Sequence, residues 1–356
     1  MNILIPLCGQ GTRFAQCGAE PKPFVRVGPK VLLRYALDTL RLQPLDRVWI
    51  LGRPCMRALF MEHVAPFVSD KITWLNVADT TGGAADTVLR GLHILRDLDP
   101  LYELEQRTCV VMDGDAFYRL DILERIRSHR LALVVMAVPP DTPPVYSYTQ
   151  IDERGNVVAV QEKEAISQWA NTGIYVFPSA PFLEDACTAI VHNADAQQLG
   201  EYYMSSVYRY LLHHRAHSVT TVSVATVSVD ADAFVNLGTP AAVNAFLQDP
   251  RRHAWLFDLD GTLVKTDALY FQVWTELVKD AGMTLTREVY DQYVHGHADA
   301  HVVRTLFPAH GVCMRDKDAV VQQFMHRVNP VPGAASFCRS KQRQGDAVII
   351  VTNSTR

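Results

Sequence analysis

Apolar positions cluster in short runs through the first two-thirds of the chain: Ile3–Leu7, Arg47–Leu51, Thr108–Met112, Leu131–Val138, Gly173–Phe177 and Thr220–Val229. Between them the spacing changes to that of helices, as at Leu32, Leu33, Ala36, Leu37 and Leu40. Strand-length runs alternating with helical periodicity predict an α/β layered domain with a largely parallel sheet. Ile151–Val158 carries a turn signal, Glu153-Arg154-Gly155-Asn156, between two short apolar stretches, which predicts a hairpin excursion.

The pattern breaks at Gln248–His253, where a proline and a small charge cluster intervene. A new strand, Ala254–Phe257, is predicted to end a buried run and to open a second α/β sequence. The expected division is therefore a first domain at 1–247, a linker at 248–253 and a second domain at 254–356. Tyr270, Phe271, Trp274, Leu277, Val278 and Ala281 follow helical spacing and predict a helical insertion at about 266–331. Ala347–Val351 is strand-like. There is no internal repeat and no low-complexity tract.

At roughly 150 residues per domain, 356 residues agree with two domains. A composition of 48% hydrophobic and 20% charged residues excludes a mostly disordered chain. The 34 Lys and Arg against 38 Asp and Glu give a formal charge of -4, which argues against a protein that coats nucleic acid but permits a local basic pocket. No apolar run reaches the roughly 18 residues of a membrane span. Met1–Leu7 has neither a basic leader nor a small-residue cleavage site, and reads as a strand. Seven scattered cysteines without a CxxC pair argue against a disulfide framework or structural zinc. The expected compartment is the cytoplasm, and no oligomeric state is legible.

Directly after the first strand comes Cys8-Gly9-Gln10-Gly11-Thr12-Arg13-Phe14. Glycines here let the backbone approach a polyphosphate and turn N–H groups toward it, and Arg13 supplies a forked donor. A plain strand-to-helix turn explains the same residues. It is not a P-loop, because no Gly-Lys-Ser/Thr follows, and Phe14 occupies the third glycine of a dinucleotide fingerprint. Glu20-Pro21-Lys22-Pro23-Phe24 then holds a lysine between two prolines, a point charge suited to phosphate.

Together, Gly-x-Gly-Thr-Arg-Phe and Pro-Lys-Pro-Phe resemble the signature of the sugar-phosphate nucleotidyltransferases, over about residues 1 to 247. The resemblance implies a Rossmann-like domain with a mixed, mostly parallel sheet. It gives Gly9, Gln10, Gly11, Thr12, Arg13 and Lys22 roles at the triphosphate. Thr81–Thr87, with Gly82 and Gly83, is similar to the loop that packs on the nucleotide base; otherwise it is a small-residue helix start. Val110–Asp115 places acidic residues at a strand's carboxyl end, where they serve as caps or as ligands. The resemblance makes Asp115 a Mg²⁺ ligand and puts Asp113 beside the nucleotide. Glu162 and Lys163, alone a surface ion pair, match the pair that holds the sugar phosphate, and Asn171 and Gly173 match the strand that closes the acceptor pocket. One departure stands out. Where the family usually has a second metal-binding aspartate before Gly-Thr, this chain has Asn236, with Asp230 and Asp232 as nearby candidate substitutes. A neutral amide adds no charge to a cation site.

The implied reaction joins an NTP and a phosphorylated small-molecule acceptor with release of pyrophosphate, for surface polysaccharide or nucleotide-sugar synthesis, with no nucleic acid or membrane partner. Asn236 keeps open a subunit that binds nucleotide without turnover.

In the second domain, Phe257-Asp258-Leu259-Asp260-Gly261-Thr262 holds two aspartates one residue apart after a strand. Such a pair can act as nucleophile and acid/base around Mg²⁺. It resembles the opening motif of the haloacid-dehalogenase-like phosphohydrolases, with Asp258 and Asp260 as catalytic and metal-binding residues. Thr266-Asp267, Gly296 and Pro332-Gly333 resemble the helical cap of the phosphoglycolate-phosphatase and β-phosphoglucomutase-like branch. Val348–Ser354 resembles the second motif, with Thr352 as the phosphate-binding hydroxyl. The later lysine and acidic pair of that family do not follow before Arg356. The domain is therefore expected to be a partial, inactive core with an exposed sheet edge; p-nitrophenyl phosphate turnover that disappears in Asp258→Asn would overturn this.

Weaker groupings are His213, His214 and His217, with no acidic partner at helical spacing, and His295, His297 and His301 within the cap; neither is expected to be a metal site. Tyr202, Tyr203, Tyr208 and Tyr210 follow Glu201 in a predicted helix, with core packing as their expected role and Glu201 as a candidate pocket residue.

Overall fold

The computed structural model describes all residues except 10, 12–13, 15–19, 99–106, 194–195, 215–223, 250–251, 281, 307–316 and 353–356. It divides into two compact units, residues 1–252 with 343–345 and residues 253–342 with 346–356.

The first unit is built on a nine-stranded sheet. Its strands are β1 (Asn2–Pro6), β2 (Arg47–Gly52), β3 (Ile72–Asn76), β4 (Cys109–Met112), β5 (Ala132–Ala137), β6 (Ser147–Ile151), β7 (Val157–Glu162), β8 (Trp169–Phe177) and β9 (Ala225–Val229). One half, β3-β2-β1-β4, is parallel. The other is organised by β8, which runs antiparallel to β4, β5 and β6. The expected hairpin is β6–β7.

Alternate side chains of each central strand enter opposite cores, as the pleat requires. Ile3, Ile5, Val48, Ile50, Val110 and Met112 face a core that includes Leu33, Leu37, Phe60 and Ile122. Leu4, Leu51, Cys109 and Val111 face the opposite one, covered by α1 (Ala84–Leu98), α2 (Ala180–Val191) and α3 (Met204–His214). Burial on both faces explains why these strands read as continuous apolar runs. Strand β3 carries a weak apolar signal because the exposed Thr73 and Asn76 interrupt its run, leaving Trp74 and Leu75 buried in opposite cores. The run beginning at Thr220 starts outside the described residues.

In the second unit β10 (Ala254–Phe257) and β11 (Ala347–Ile350) form a parallel pair. Among the described residues, four helices, Asp267–Asp280, Arg287–Tyr293, Asp299–Leu306 and Lys317–Phe324, lie in the expected insertion. Leu269, Val273, Trp274, Leu277, Val278 and Tyr290 contribute to their core. The expectation that β10 is buried is corrected: Leu256 is 67% exposed and Ile350 on its partner 55%. Among the described residues this sheet has two strands, too few to cover its apolar faces. No helix among the described residues is long and apolar enough to cross a membrane.

Candidate functional site

The carboxyl ends of β1 and β4 bring the first group together. Pro21 leads into a single 3₁₀ turn, Lys22–Phe24, anchored by the buried Phe24 ring. Gly9 lies exposed after β1, and Gly11, at φ +61°, packs on the Lys22 stem: a side chain there would start 3.0 Å from Lys22 Cβ. Lys22 Nζ reaches Asp115 Oδ2 at 2.5 Å, with both side chains about a quarter exposed. Gln10, Thr12 and Arg13 lie outside the described residues.

Asp115 follows β4 after Asp113 and Gly114. The strand after it, Ala116–Tyr118, pairs antiparallel with Phe234–Asn236, and the register sets Asn236 opposite Ala116. The Leu237 N–H donates to the Asp115 carbonyl at 2.8 Å, and Asn236 Oδ1 accepts from the Gly238 N–H at 2.6 Å. A side chain built on Gly238 would come within 2.8 Å of both Asn236 Oδ1 and Asp115 Oδ2, so the two oxygens converge on one spot. A carboxylate and an amide oxygen are hard donors that suit Mg²⁺, and the Lys22 ammonium shows that a cation is held against Asp115. Asp230 and Asp232 do not join them. Both are exposed, and they precede Phe234, which pairs with Tyr118 at the far end of the ribbon.

Asp113 donates its N–H to the Gly173 carbonyl at 2.9 Å. Burial, and then the neighbouring Asp115 charge, push its carboxyl well above the usual carboxylate range, against the opposing pull of Lys22.

The second group sits at the end of β7. Glu162 Oε2 accepts from Ser205 Oγ at 2.7 Å, and burial raises its carboxyl, partly offset by Ser205 and Lys163. Lys163 adopts φ +52° and donates to the Tyr203 phenol oxygen at 2.9 Å. Hence the two are not a surface ion pair. Asn171 is held by its neighbours in the sheet. It is 4% exposed, its Oδ1 accepts from the Thr149 hydroxyl at 2.5 Å and its Nδ2 donates to Ser147 Oγ at 2.8 Å. Its amide joins β8 to β6, with one lone pair and one N–H beyond these two bonds.

The third group is the loop before α1. The Gly82 N–H donates to Asp86 Oδ2 at 2.8 Å, and Asp86 also accepts from Arg90 at 2.8 Å. Tyr202 and Tyr203 were expected in a helix, but α3 begins at Met204, so both lie in the segment leading into it. Tyr208 does pack in the core as expected. Tyr203 and Ser205 had no motif to mark them as partners of Lys163 and Glu162, since the contact is made across some forty residues. Sequence reasoning also passed over Arg53, just after β2, whose buried Nε has no hydrogen-bond partner among the described residues.

In the second unit, the Phe257–Ile350 register and the bond from Val351 N–H to the Phe257 carbonyl, 2.8 Å, bring Asp258 and Thr352 to the same end of the parallel pair. Asp258 and Thr352 are exposed and Asp260 is half-buried. Histidines 295, 297 and 301 make ring contacts: His295 stacks on Tyr290, and His297 on His301. His213 is exposed, while the His214 side chain and His217 lie outside the described residues. No cluster of three or more acidic, His or Cys side chains able to hold a metal occurs among the described residues.

A family model described as nucleotidyl transferase matches residues 4–225. The chain belongs to this family. Residues 255–356 match a second family model, haloacid dehalogenase-like hydrolase. A UTP–glucose-1-phosphate uridylyltransferase of Synechocystis sp. is 26% identical to this nucleotidyltransferase over 197 residues, 50% of this chain and 49% of that one. The chain thus spans about half the length of that curated relative. A nucleoside-diphosphate-sugar pyrophosphorylase from Vibrio cholerae RC9 superposes with a TM-score of 0.60 at 20% identity, over 69% of this chain and 100% of its own. An inositol-1-phosphate CTP transferase from T. maritima gives 0.51 at 15% identity, over 70% and 96%. These two likenesses establish the nucleotidyltransferase fold, the mixed α/β sheet expected from the sequence.

Proposed function

We propose that the first unit transfers a nucleoside monophosphate from an NTP to a sugar 1-phosphate, or a related phosphorylated metabolite, and releases pyrophosphate. The observation that carries this reading is the Lys22–Asp115 pair, a phosphate-seeking cation and a metal-seeking carboxylate held in one place where α/β sheets bind ligands. The acceptor's phosphate oxygen attacks the α-phosphorus; the bond to the bridging oxygen breaks and its electron pair leaves with pyrophosphate. The attacking oxygen is already ionised at neutral pH, so no general base is required, and positioning with charge neutralisation carries the rate. Lys22 places its ammonium beside the α-phosphate. Glu162 and Lys163 hold the acceptor, and the Gly82–Gly83 loop packs on the base. Asp115 and Asn236 would hold Mg²⁺, which when bound neutralises phosphate charge. The product, an activated sugar, is chemically a glycosyl donor, which suits supply of polysaccharide synthesis.

Pyrophosphate detection with the four NTPs against glucose 1-phosphate, a heptose 1-phosphate and phosphocholine tests this. Release with one pair is expected. Nucleotide binding without release from any pair would favour a non-catalytic nucleotide-binding subunit. In the second unit, the exposed Asp258 favours no hydrolase reading over this one.

Asn236 also gives a graded expectation. Because a carboxylate adds charge to the cation site, Asn236→Asp is expected to lower the Mg²⁺ concentration that half-saturates pyrophosphate release by about tenfold. An unchanged or raised midpoint in a Mg²⁺ titration would remove Asn236 from the cation site.

A further inference from the structure

One short segment touches both substrate regions of the first unit. The Tyr202 N–H donates to the Gly82 carbonyl at 2.8 Å, and the Tyr202 carbonyl accepts from the Ala85 N–H at 3.0 Å. The fit is close: Gly83 stands at φ +135°, and a side chain there would begin 2.6 Å from the Tyr202 nitrogen. One residue on, the Tyr203 phenol oxygen accepts from Lys163, whose ammonium also lies 4.9 Å from the ring centroid. Two residues later Ser205, itself 2% exposed, donates to Glu162. The main chain of Tyr202 is therefore fixed by the nucleotide loop, and the side chains of its next neighbours hold the acceptor pair.

Lys163 needs such support. Its left-handed backbone is costly for a residue with a side chain, and persists where the surroundings over-determine it. Its N–H donates to the Tyr146 carbonyl at 2.9 Å, which fixes the backbone but leaves four side-chain torsions to be set by the ammonium's partner. An ammonium has three donors, so one bond to a phenol oxygen leaves two for a phosphate.

We propose that Tyr203 is the positioning residue that aims Lys163 at the acceptor phosphate, and that Tyr202–Ser205 ties the geometry of the acceptor pair to the nucleotide loop. This rests on the reading of Lys163 as an acceptor contact. Ordering Lys163 before the acceptor arrives lowers the entropy that binding would otherwise cost.

The test uses the full chain, with Tyr203→Phe and Gly83→Ala. With glucose 1-phosphate as acceptor, Tyr203→Phe is expected to raise the acceptor KM and its calorimetric Kd about tenfold, with kcat within about twofold and NTP affinity unmoved, because only a bond to one charged group is lost. Gly83→Ala, although it lies in the nucleotide loop, is expected to weaken the acceptor as well as the NTP. Unchanged acceptor affinity in Tyr203→Phe, or loss confined to the NTP in Gly83→Ala, overturns the proposal. A second readout needs no acceptor. After reductive ¹³C-methylation, the Lys163 resonance should shift when an NTP fills the loop, and this response should vanish in Tyr203→Phe. A wild-type Lys163 signal blind to all four NTPs overturns the tie. Failure of every donor and acceptor pair to release pyrophosphate would instead overturn the transferase reading, which keeps the two failures distinct.

Discussion

Lys22→Met is expected to lower kcat for pyrophosphate release by about 10²-fold or more, the usual cost of removing a preorganised charge from developing phosphate charge. The fold should survive. Lys22 and Asp115 are each about a quarter exposed, so water can solvate the carboxylate left behind, and the methionine retains the stem that packs beside Gly11. The expected pattern is a circular dichroism melt close to wild type together with near-complete loss of turnover. Lys22→Arg is not expected to restore it, because a planar fork does not replace a compact ammonium. Turnover within threefold of wild type in Lys22→Met would take this lysine out of the chemistry and leave the ion pair as a structural contact.

Much of that site was legible in the chain because strand ends and motifs coincide. Lys22 and Asp115 are far apart in sequence, yet each follows a recognisable signal, Pro-Lys-Pro-Phe in one case and an apolar run ending in acidic residues in the other. A parallel sheet sends the ends of its strands to one place, so two such signals imply one cleft. What was illegible lacked this geometry. Tyr203 looked like one of several tyrosines on a helix, and only the exact start of α3 at Met204 separates it from Tyr208 in the core. Asn171 is marked by the match of Asn171-Thr172-Gly173 to the family's pocket strand, but its partners Thr149 and Ser147 belong to a neighbouring strand whose register no periodicity reveals. Strand β10 failed for a different reason. Its apolar run marks a strand that needs cover, and among the described residues one strand pairs with it, which leaves Leu256 exposed.

Asp46→Asn is the largest expected loss of stability in the first unit. Asp46 is 2% exposed and sits between three donors: Arg127 at 2.6 Å, the amino terminus of Met1 at 2.8 Å and the Gln43 N–H at 2.8 Å. Burial alone would raise its pKa. The Arg127 bond, the amino terminus and the Gln43 N–H overcome that and bring it from 3.8 down to about 2. A folded value below the unfolded one means that the carboxylate stabilises the fold fully above about pH 4, and that this contribution fades as pH falls toward 2. Replacing it with an amide leaves the Arg127 guanidinium, 19% exposed, with the exposed Glu124 at 3.5 Å as its remaining ion-pair partner, a change that costs about 3 kcal/mol when the buried partner is lost. The first unit's melting midpoint should fall by about 6 °C or more at pH 7. The gap between wild type and variant should then narrow as both are melted at lower pH, closing near pH 2. A gap that stays constant from pH 7 to pH 2.5 would show that the loss comes from shape rather than charge, and the Asp46–Arg127 pair would then carry no electrostatic share of the stability.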